Sequence, residues 1–332
     1  MLGVANAASA AGWDVDAYLG RERPSGLEAG IRAVELDARG LRWHFRAWRE
    51  LRRRRAVFLS TSFVVAQLPG AQALPTVLDL TTFMLPEYHT ARTRLAERLL
   101  LPRAVRRWPV VTCTETTATD IRRLFPHAGP ITVVPPWCAV ADAAEPLPAQ
   151  TEAYFVFVGT LEPRKNAAVV IEATRRLRRA GRPVRLILIG RAGWNFEPLG
   201  LLIRQAEAEG AVEWPGYVSN AERDRLYRGA VALVLPSHYE GFGLPLLEAM
   251  AEGVATISSD APALVEVAGG SSLHVGATDI AGWEAAMNTL LAEPEERRRL
   301  IARGRERASK FTPEATVVGL RHALEDLEAR SR

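Results

Sequence analysis

Two short stretches of this chain set charged side chains beside glycines in a way that suits phosphate chemistry. The first is Gly159-Thr-Leu-Glu-Pro-Arg-Lys-Asn166. A strand-like run, Tyr154 to Val158, ends at Gly159, and Arg164 and Lys165 stand just ahead of a helix-like run. Adjacent cations at the carboxyl end of a strand suit a diphosphate, arginine as a planar fork and lysine as a point charge. Asn166 suits the helix cap. Taken alone, the stretch also reads as a solvated basic loop. The second is Pro236-Ser-His-Tyr-Glu-Gly-Phe-Gly-Leu-Pro-Leu-Leu-Glu248. A buried strand-like run leads to Glu240, and Gly241 and Gly243 let backbone approach a ligand closely. Pro245 suits the first helical turn. The helix end offers N–H groups and the positive end of a dipole, an anion site. Glu248 falls about one turn inside. Two carboxylates around a phosphate cradle suit hydroxyl recognition, one on a sugar and one on a ribose. The plainer reading of Glu248 is a charge that answers the helix dipole.

Such loops need parallel α/β scaffolds, and the pattern supplies them. Helix-like runs cover 2–11, 41–55, 87–106 and 116–124, between strand-like runs at 15–19, 56–60, 75–79, 110–114 and 131–134. Ala139 to Gln150, with two prolines among small and acidic residues, reads as a linker. A second series follows. Strands are expected at 154–158, 184–189, 212–214, 231–235 and 255–258, and helices at 166–180, 198–209, 220–228, 245–251, 279–292, 294–309 and 313–329. Alternation of this kind implies two doubly wound α/β domains. The expected division is residues 1–140, a linker at 141–152, a second domain at 153–312 and a last helix at 313–332 that packs back toward the first domain.

Composition narrows the classes. Two cysteines, Cys113 and Cys138, are too few for a disulfide framework or a structural zinc site. They suit a reducing cytoplasm as buried thiols. Arginine clusters at 52–55 and again from Arg92 to Arg107, in a chain of net charge +4. Basic faces of this kind suit phosphates, nucleic acid or anionic lipid, or are simply solvated helices. Trp43 and Trp48 among the arginines of 41–55 read equally as an interfacial face or as core. No run of 18 apolar residues is present. Asp14-Val-Asp16 spells a three-residue metal motif, too short to carry weight, so no metal is expected. His238 near Glu240 reads as structural.

With these residues in view, the chain resembles the retaining GT-B glycosyltransferases of family 4, the glycosyl transferases group 1 domain. Pro236 to Glu248 is similar to that family's Glu-x7-Glu signature, Gly159 to Asn166 to its donor-phosphate loop, and Gly216-Tyr-Val218 to its nucleobase loop. The resemblance covers nearly all of 153–329 and is traceable over 2–140. It implies a GT-B fold of two Rossmann-like domains. Arg164 and Lys165 would neutralise the donor diphosphate, and Val218 would lie by the base. Glu240 would face the transferred sugar, with Gly159, Gly241, Phe242, Gly243 and Leu244 lining the donor. Glu248 would bind ribose hydroxyls, and Asp79 would belong to the acceptor side.

The implied activity is metal-independent, retaining transfer of a hexose from a nucleotide sugar, GDP-mannose by preference, to a glycan or lipid-linked acceptor in cell-surface polysaccharide synthesis. No cofactor and no nucleic acid are implied. The expected place is the cytoplasm, with peripheral attachment to an anionic membrane surface. Two departures from the family stand out. Leu78 occupies the position where the family carries a histidine that contacts the donor sugar. The sequence also starts inside what resembles the family's first helix, so a strand and glycine loop are expected on about 20–30 residues upstream. These departures keep a catalytically impaired nucleotide-sugar-binding protein open as an alternative. A GT-B sugar-nucleotide epimerase is a further alternative.

Overall fold

The structure, a computed structural model, describes residues 2–19, 27–140 and 152–331. The linker expected at 141–152 therefore lies, but for Glu152, outside the described residues. The chain divides into two compact units. One comprises Met1–Trp137 with Phe311–Arg332, the other Cys138–Lys310.

In chain order the first unit holds α1 (Leu2–Ala10), β1 (Asp16–Leu19), β2 (Arg32–Glu35), α2 (Gly40–Arg54), β3 (Val57–Ser60), β4 (Gln72–Val77), α3 (Thr81–Met84), α4 (Ala91–Arg107), β5 (Val110–Thr112), α5 (Glu115–Leu124) and β6 (Ile131–Val133). The second unit holds β7 (Ala153–Val158), α6 (Ala167–Arg179), β8 (Val184–Ile189), α7 (Glu197–Ala208), β9 (Val212–Gly216), α8 (Asn220–Gly229), β10 (Ala232–Leu235), α9 (Leu244–Ala251), β11 (Ala255–Ser259), α10 (Pro262–Ala268), β12 (Leu273–Val275), α11 (Ile280–Ala292) and α12 (Pro294–Ala308). The last helix, α13 (Pro313–Ser331), belongs to the first unit, where it lies on α1 and β6.

The second unit is one parallel sheet of order β12-β11-β10-β7-β8-β9. This is the doubly wound arrangement, and its strand order reverses between β7 and β10. The inner strands Tyr-Phe-Val-Phe-Val and Ala-Leu-Val-Leu are apolar without alternation, as strands covered by helices on both faces must be. Phe155, Phe157, Leu186, Leu188 and Val234 pack with Val170 and Ile171 of α6 and Trp283 and Met287 of α11. Trp283 is wholly buried, and its indole N–H donates to Gly276 O at 3.1 Å.

The first unit is less continuous. Its strands form a two-stranded sheet, β1-β2, and a four-stranded sheet, β3-β4-β5-β6, both parallel. Along β3 the side chains alternate. Val57 and Leu59 pack with Leu74, Leu320 and Ala323 on one face, and Phe58 packs with Leu51 and Trp43 on the other. Trp43 and Trp48 of α2 are half-buried against this second cluster, and Trp48 also donates to Pro69 O. Asp16 is held by Arg32 at 2.6 Å and Arg54 at 3.1 Å, an ion-pair role for the Asp-x-Asp run.

Trp283→Ala should cost about 3–5 kcal/mol, the usual range for emptying a large aromatic site. Urea unfolding followed by hydrogen exchange in β7 and β8 reads this directly, and exchange in β4 and β5 should change less.

Candidate functional site: a cation–carboxylate cluster at the sheet's switch point

The topology explains why two loops some 75 residues apart in sequence meet. β7 and β10 are parallel neighbours, with Ala232 beside Phe155 and Leu233 beside Val156. The loops leaving their carboxyl ends, Gly159–Asn166 and Pro236–Gly243, emerge side by side at the reversal of strand order. Open α/β sheets bind ligands at this crevice.

Backbone hydrogen bonds shape the first loop. Gly159 N–H donates to Ile189 O, Leu161 N–H to Arg191 O, and Gly193 N–H to Leu161 O. A Cβ at Gly190 would stand 1.9 Å from Gly159 O, so the close approach of these strand ends requires glycine there. Pro163–Lys165 then forms a 3-10 turn that projects both cations. Asn166 ends the turn in the left-handed region at φ 53°. Its side chain does not cap α6. The amide instead donates to Pro236 O at 3.3 Å and Ala277 O at 2.7 Å, so Asn166 ties the loop to the end of β10.

Arg164 joins the loops. Its carbonyl accepts from His238 N–H at 3.0 Å, and its guanidinium donates to Tyr239 O and to Glu240 Oε2, each at 3.2 Å. It also pairs with Glu162 at 2.8 Å. Lys165 Nζ lies 2.5 Å from Glu240 Oε1, which also accepts from Ser237 Oγ at 2.7 Å. Burial of Glu240 would raise its carboxyl pKa. The Lys165 ammonium, the Arg164 guanidinium and the Ser237 hydroxyl outweigh that and hold it below the usual range. Ser259 Oγ donates to Ser237 O at 2.6 Å and fixes the strand end from β11.

Gly243 caps α9 at φ 90°, and a Cβ there would meet Leu264 at 2.3 Å. Leu246 and Leu247 N–H both donate to Gly243 O, and Pro245 has none to give. The Leu244 N–H is left at the helix tip. One turn on, Glu248 pairs with Arg223 at 3.4 Å and accepts from Tyr227 Oη at 3.3 Å. Burial pushes its carboxyl up, and Arg223 and Tyr227 offset this only in part. Arg223 and Tyr227 lie four residues apart on α8, and neither stood out in the sequence because each reads as an ordinary helix residue.

Two further expected residues take no part in these contacts. Val218 lines a separate 150 Å³ cavity with Tyr154, Pro215 and Glu222. Its loop is tied to the end of β8 by Gly190 N–H on Gly216 O. Asp79 belongs to the first unit and accepts from the backbone N–H and hydroxyl of Thr81, which organises the turn into α3. Leu78 beside it is 44% exposed. Cys113 is buried and donates to Leu78 O, while burial pushes the half-buried Cys138 thiol up to about 12.

The family profile described as glycosyl transferases group 1 matches residues 141–307, just over half of the chain. The O-antigen chain mannosyltransferase B of Escherichia coli is 31% identical over 254 residues, 73% of this chain and 67% of that protein. The chain belongs to the glycosyl transferases group 1 family. A D-inositol 3-phosphate glycosyltransferase of Segniliparus rotundus is 33% identical over 176 residues, and the match spans only 39% of its length. Among solved structures, the sucrose-phosphate synthase of Thermosynechococcus elongatus aligns with a TM-score of 0.83 at 21% identity, over 98% of this chain and 92% of that one. That likeness carries the fold, which is GT-B with two Rossmann-like units. In this glycosyltransferase the geometry of the second sheet thus brings Arg164, Lys165, Glu240 and the tip of α9 together.

Because the pKa of Glu240 is depressed on folding, its contribution to stability is complete above the ordinary 4.5 and is lost as pH falls through the lower folded value. The melting temperature of wild type should exceed that of Glu240→Gln by a constant margin near neutrality. The margin should shrink below pH 4.5, which a pH series of thermal melts measures.

Proposed function

We propose that this glycosyltransferase binds a nucleotide sugar at the cluster of its second unit and transfers the hexose with retention, without a metal. Mannose from GDP-mannose is the preferred donor, and a glycan or lipid-linked acceptor of cell-surface polysaccharide is the preferred destination. The observation that carries this reading is the pairing of Arg164 and Lys165 around Glu240, beside the tip of α9. The sugar–phosphate bond would break through an oxocarbenium-like transition state while negative charge grows on the departing diphosphate. Cations already fixed in place stabilise that charge without reorganising, and such electrostatic help commonly lowers an enzyme's barrier more than any other single effect. The leaving phosphate takes the acceptor's proton. The likeness to an O-antigen chain mannosyltransferase supports mannose. Glu248, presented with Arg223 and Tyr227, binds the ribose hydroxyls.

Donor titrations by calorimetry test the assignments. Arg164→Ala or Lys165→Ala should weaken binding of the donor and of the free nucleoside diphosphate by about 1.5–3 kcal/mol each, and leave the nucleoside unchanged. Glu248→Gln should weaken nucleoside and donor together, about tenfold, the equivalent of ~1.4 kcal/mol. Glu240→Gln should leave donor affinity intact or tighter, because the cations lose their competitor, and lower turnover about tenfold or more. Variants with wild-type affinity and turnover would place the donor elsewhere.

The exposed Leu78 supports a second reading, a nucleotide-sugar binder with impaired transfer. A panel of nucleotide sugars, assayed for both binding and hydrolysis, separates the two: binding without any turnover of the sugar–phosphate bond selects the binder.

Attachment to an anionic membrane belongs to the same proposal. Leu41 and Phe45 of α2, and Leu95 and Leu99 of α4, are exposed among Arg42, Arg46, Arg49, Arg92, Arg98 and Arg103. Flotation should be stronger with phosphatidylserine vesicles than with phosphatidylcholine vesicles, and salt should release the protein.

A further inference from the structure

α8 begins directly after the Gly216–Val218 loop, where Ser219 Oγ accepts from Glu222 N–H at 3.2 Å. Further in, Arg223 and Tyr227 lie four residues apart and therefore on one face. Both reach Glu248 of α9, and they divide its carboxylate between them. Arg223 Nη1 stands 3.4 Å from Oε1, and Tyr227 Oη donates to Oε2 at 3.3 Å. The Arg223 guanidinium is itself steadied, by Asp224 at 2.9 Å and by the Tyr227 ring, whose centroid is 6.0 Å away.

Packing alone does not ask for these groups. Tyr227 is wholly buried, and phenylalanine would fill nearly the same space. A buried hydroxyl needs a partner, because an unpaired one is destabilising. The single proton of this hydroxyl has two acceptors in reach, Glu248 Oε2 and, at 3.5 Å, Pro245 O. An ionised carboxylate is the stronger acceptor of the two. A carboxylate offers about four lone-pair sites, shared equally by its oxygens. α8 takes one on each oxygen, and the Glu248 side chain keeps 25% of its surface open. One free site on each oxygen matches two vicinal hydroxyls. The charge is tended as well. Burial pushes the Glu248 carboxyl up, with Asp224 and Glu252 adding to it, while Arg223 and the Tyr227 hydroxyl pull it back. Cys138 also faces it.

We infer that Arg223 and Tyr227 are positioning residues for the donor: they hold the Glu248 carboxylate in one orientation, with one oxygen presented to each hydroxyl of a ribose diol. The inference rests on the proposed role of Glu248 and goes beyond it, because it assigns to α8 the discrimination between ribose and 2′-deoxyribose. Without the Tyr227 hydroxyl or the Arg223 charge, the carboxylate is free to rotate, and binding must then fix it. A 2′-deoxyribose engages one oxygen alone and gains less from an orientation fixed beforehand. Since α8 also starts at the Val218 loop, one helix carries both the proposed base contact and the grip on the ribose carboxylate.

The test is calorimetry of the full chain with GDP, UDP and ADP, and with the 2′-deoxy analogue of whichever binds most tightly. Wild type should prefer the ribose form by about tenfold, the effect of one hydrogen bond to a charged group. Tyr227→Phe and Arg223→Gln should each weaken the ribose form more than the deoxy form and cut that preference to about threefold or less. Arg223→Lys, which keeps the charge, should restore part of it. In a Glu248→Gln background neither change should weaken binding further, since both act through that carboxylate. Acidification gives a second readout. Loss of the Tyr227 hydroxyl leaves the Glu248 carboxyl higher, so affinity for the ribose form should fall away at a higher pH in Tyr227→Phe than in wild type. Should Tyr227→Phe fail to fold, Arg223→Gln and Arg223→Lys decide alone. Equal weakening of ribose and deoxyribose forms, or full further weakening on top of Glu248→Gln, overturns the inference in favour of a packing role. A preference unaltered in Tyr227→Phe and Arg223→Gln but lost in Glu248→Gln overturns it and leaves the ribose role of Glu248 standing. A preference that survives Glu248→Gln, or a chain that binds none of the three nucleotides, overturns both.

Discussion

The site hangs on one carboxylate. Glu240 accepts from Lys165, Arg164 and Ser237 at once, and it is nearly out of solvent. Arg164 and Lys165 are adjacent in sequence, and their like charges in a partly buried loop would repel. A shared anion turns that repulsion into a clamp. Taking away one member of a buried charge group leaves the others uncompensated, which costs far more than a surface pair returns. Because the clamp spans the ends of β7 and β10, it holds only while those strands keep their register. The proposed phosphate site and the central strand pairing of the second unit are in this sense one interaction.

The charge balance bears on how such a site would receive a donor. Arg164, Lys165, Glu162 and Glu240 together sum to zero, so the resting cluster carries no large surplus of positive charge. Attraction of a diphosphate must come from redistributing hydrogen bonds already aimed at the crevice, aided by the end of α9. That differs from a flexible basic loop, in which the side chains lose rotamer freedom on meeting the ligand. On the proposed reading, Glu240 would release part of its hold on the two cations and turn to the sugar beside them. Glu248 is set apart from this exchange. It has its own partners on α8, and its pKa is displaced in the opposite direction to that of Glu240.

The second unit was readable in the sequence because its inner strands are continuous apolar runs that stop at glycine, with helices between them that start and end at proline, asparagine and glycine. The two loops followed from those boundaries. Short edge elements escaped. β2 reads Arg-Ala-Val-Glu with its ends exposed, and β12 is only three residues long, so neither shows a buried period. α10 is a seven-residue helix that begins at a proline, too short to show a helical repeat. Partner residues escaped for a different reason. Arg223 and Tyr227 become part of the site only when α8 packs beside α9, which is a tertiary fact with no local signature. Asn166 misled for a local reason. It had the right type and position for a cap, but its left-handed backbone turns the side chain toward the neighbouring loop. Trp43 and Trp48 sat between two readings, and both lie half-buried beside Phe58 and Leu51.

The two units share an alternating plan but differ in how they are held. The second closes its sheet from contiguous sequence, Cys138–Lys310. The first draws one wall from the far end of the chain. α13 covers Leu74 and Val111 through Leu320 and Ala323, and Thr316 Oγ1 donates to Pro135 O at 2.8 Å. These contacts join residues about 180 positions apart, so the unit is closed by chain ends far apart in sequence.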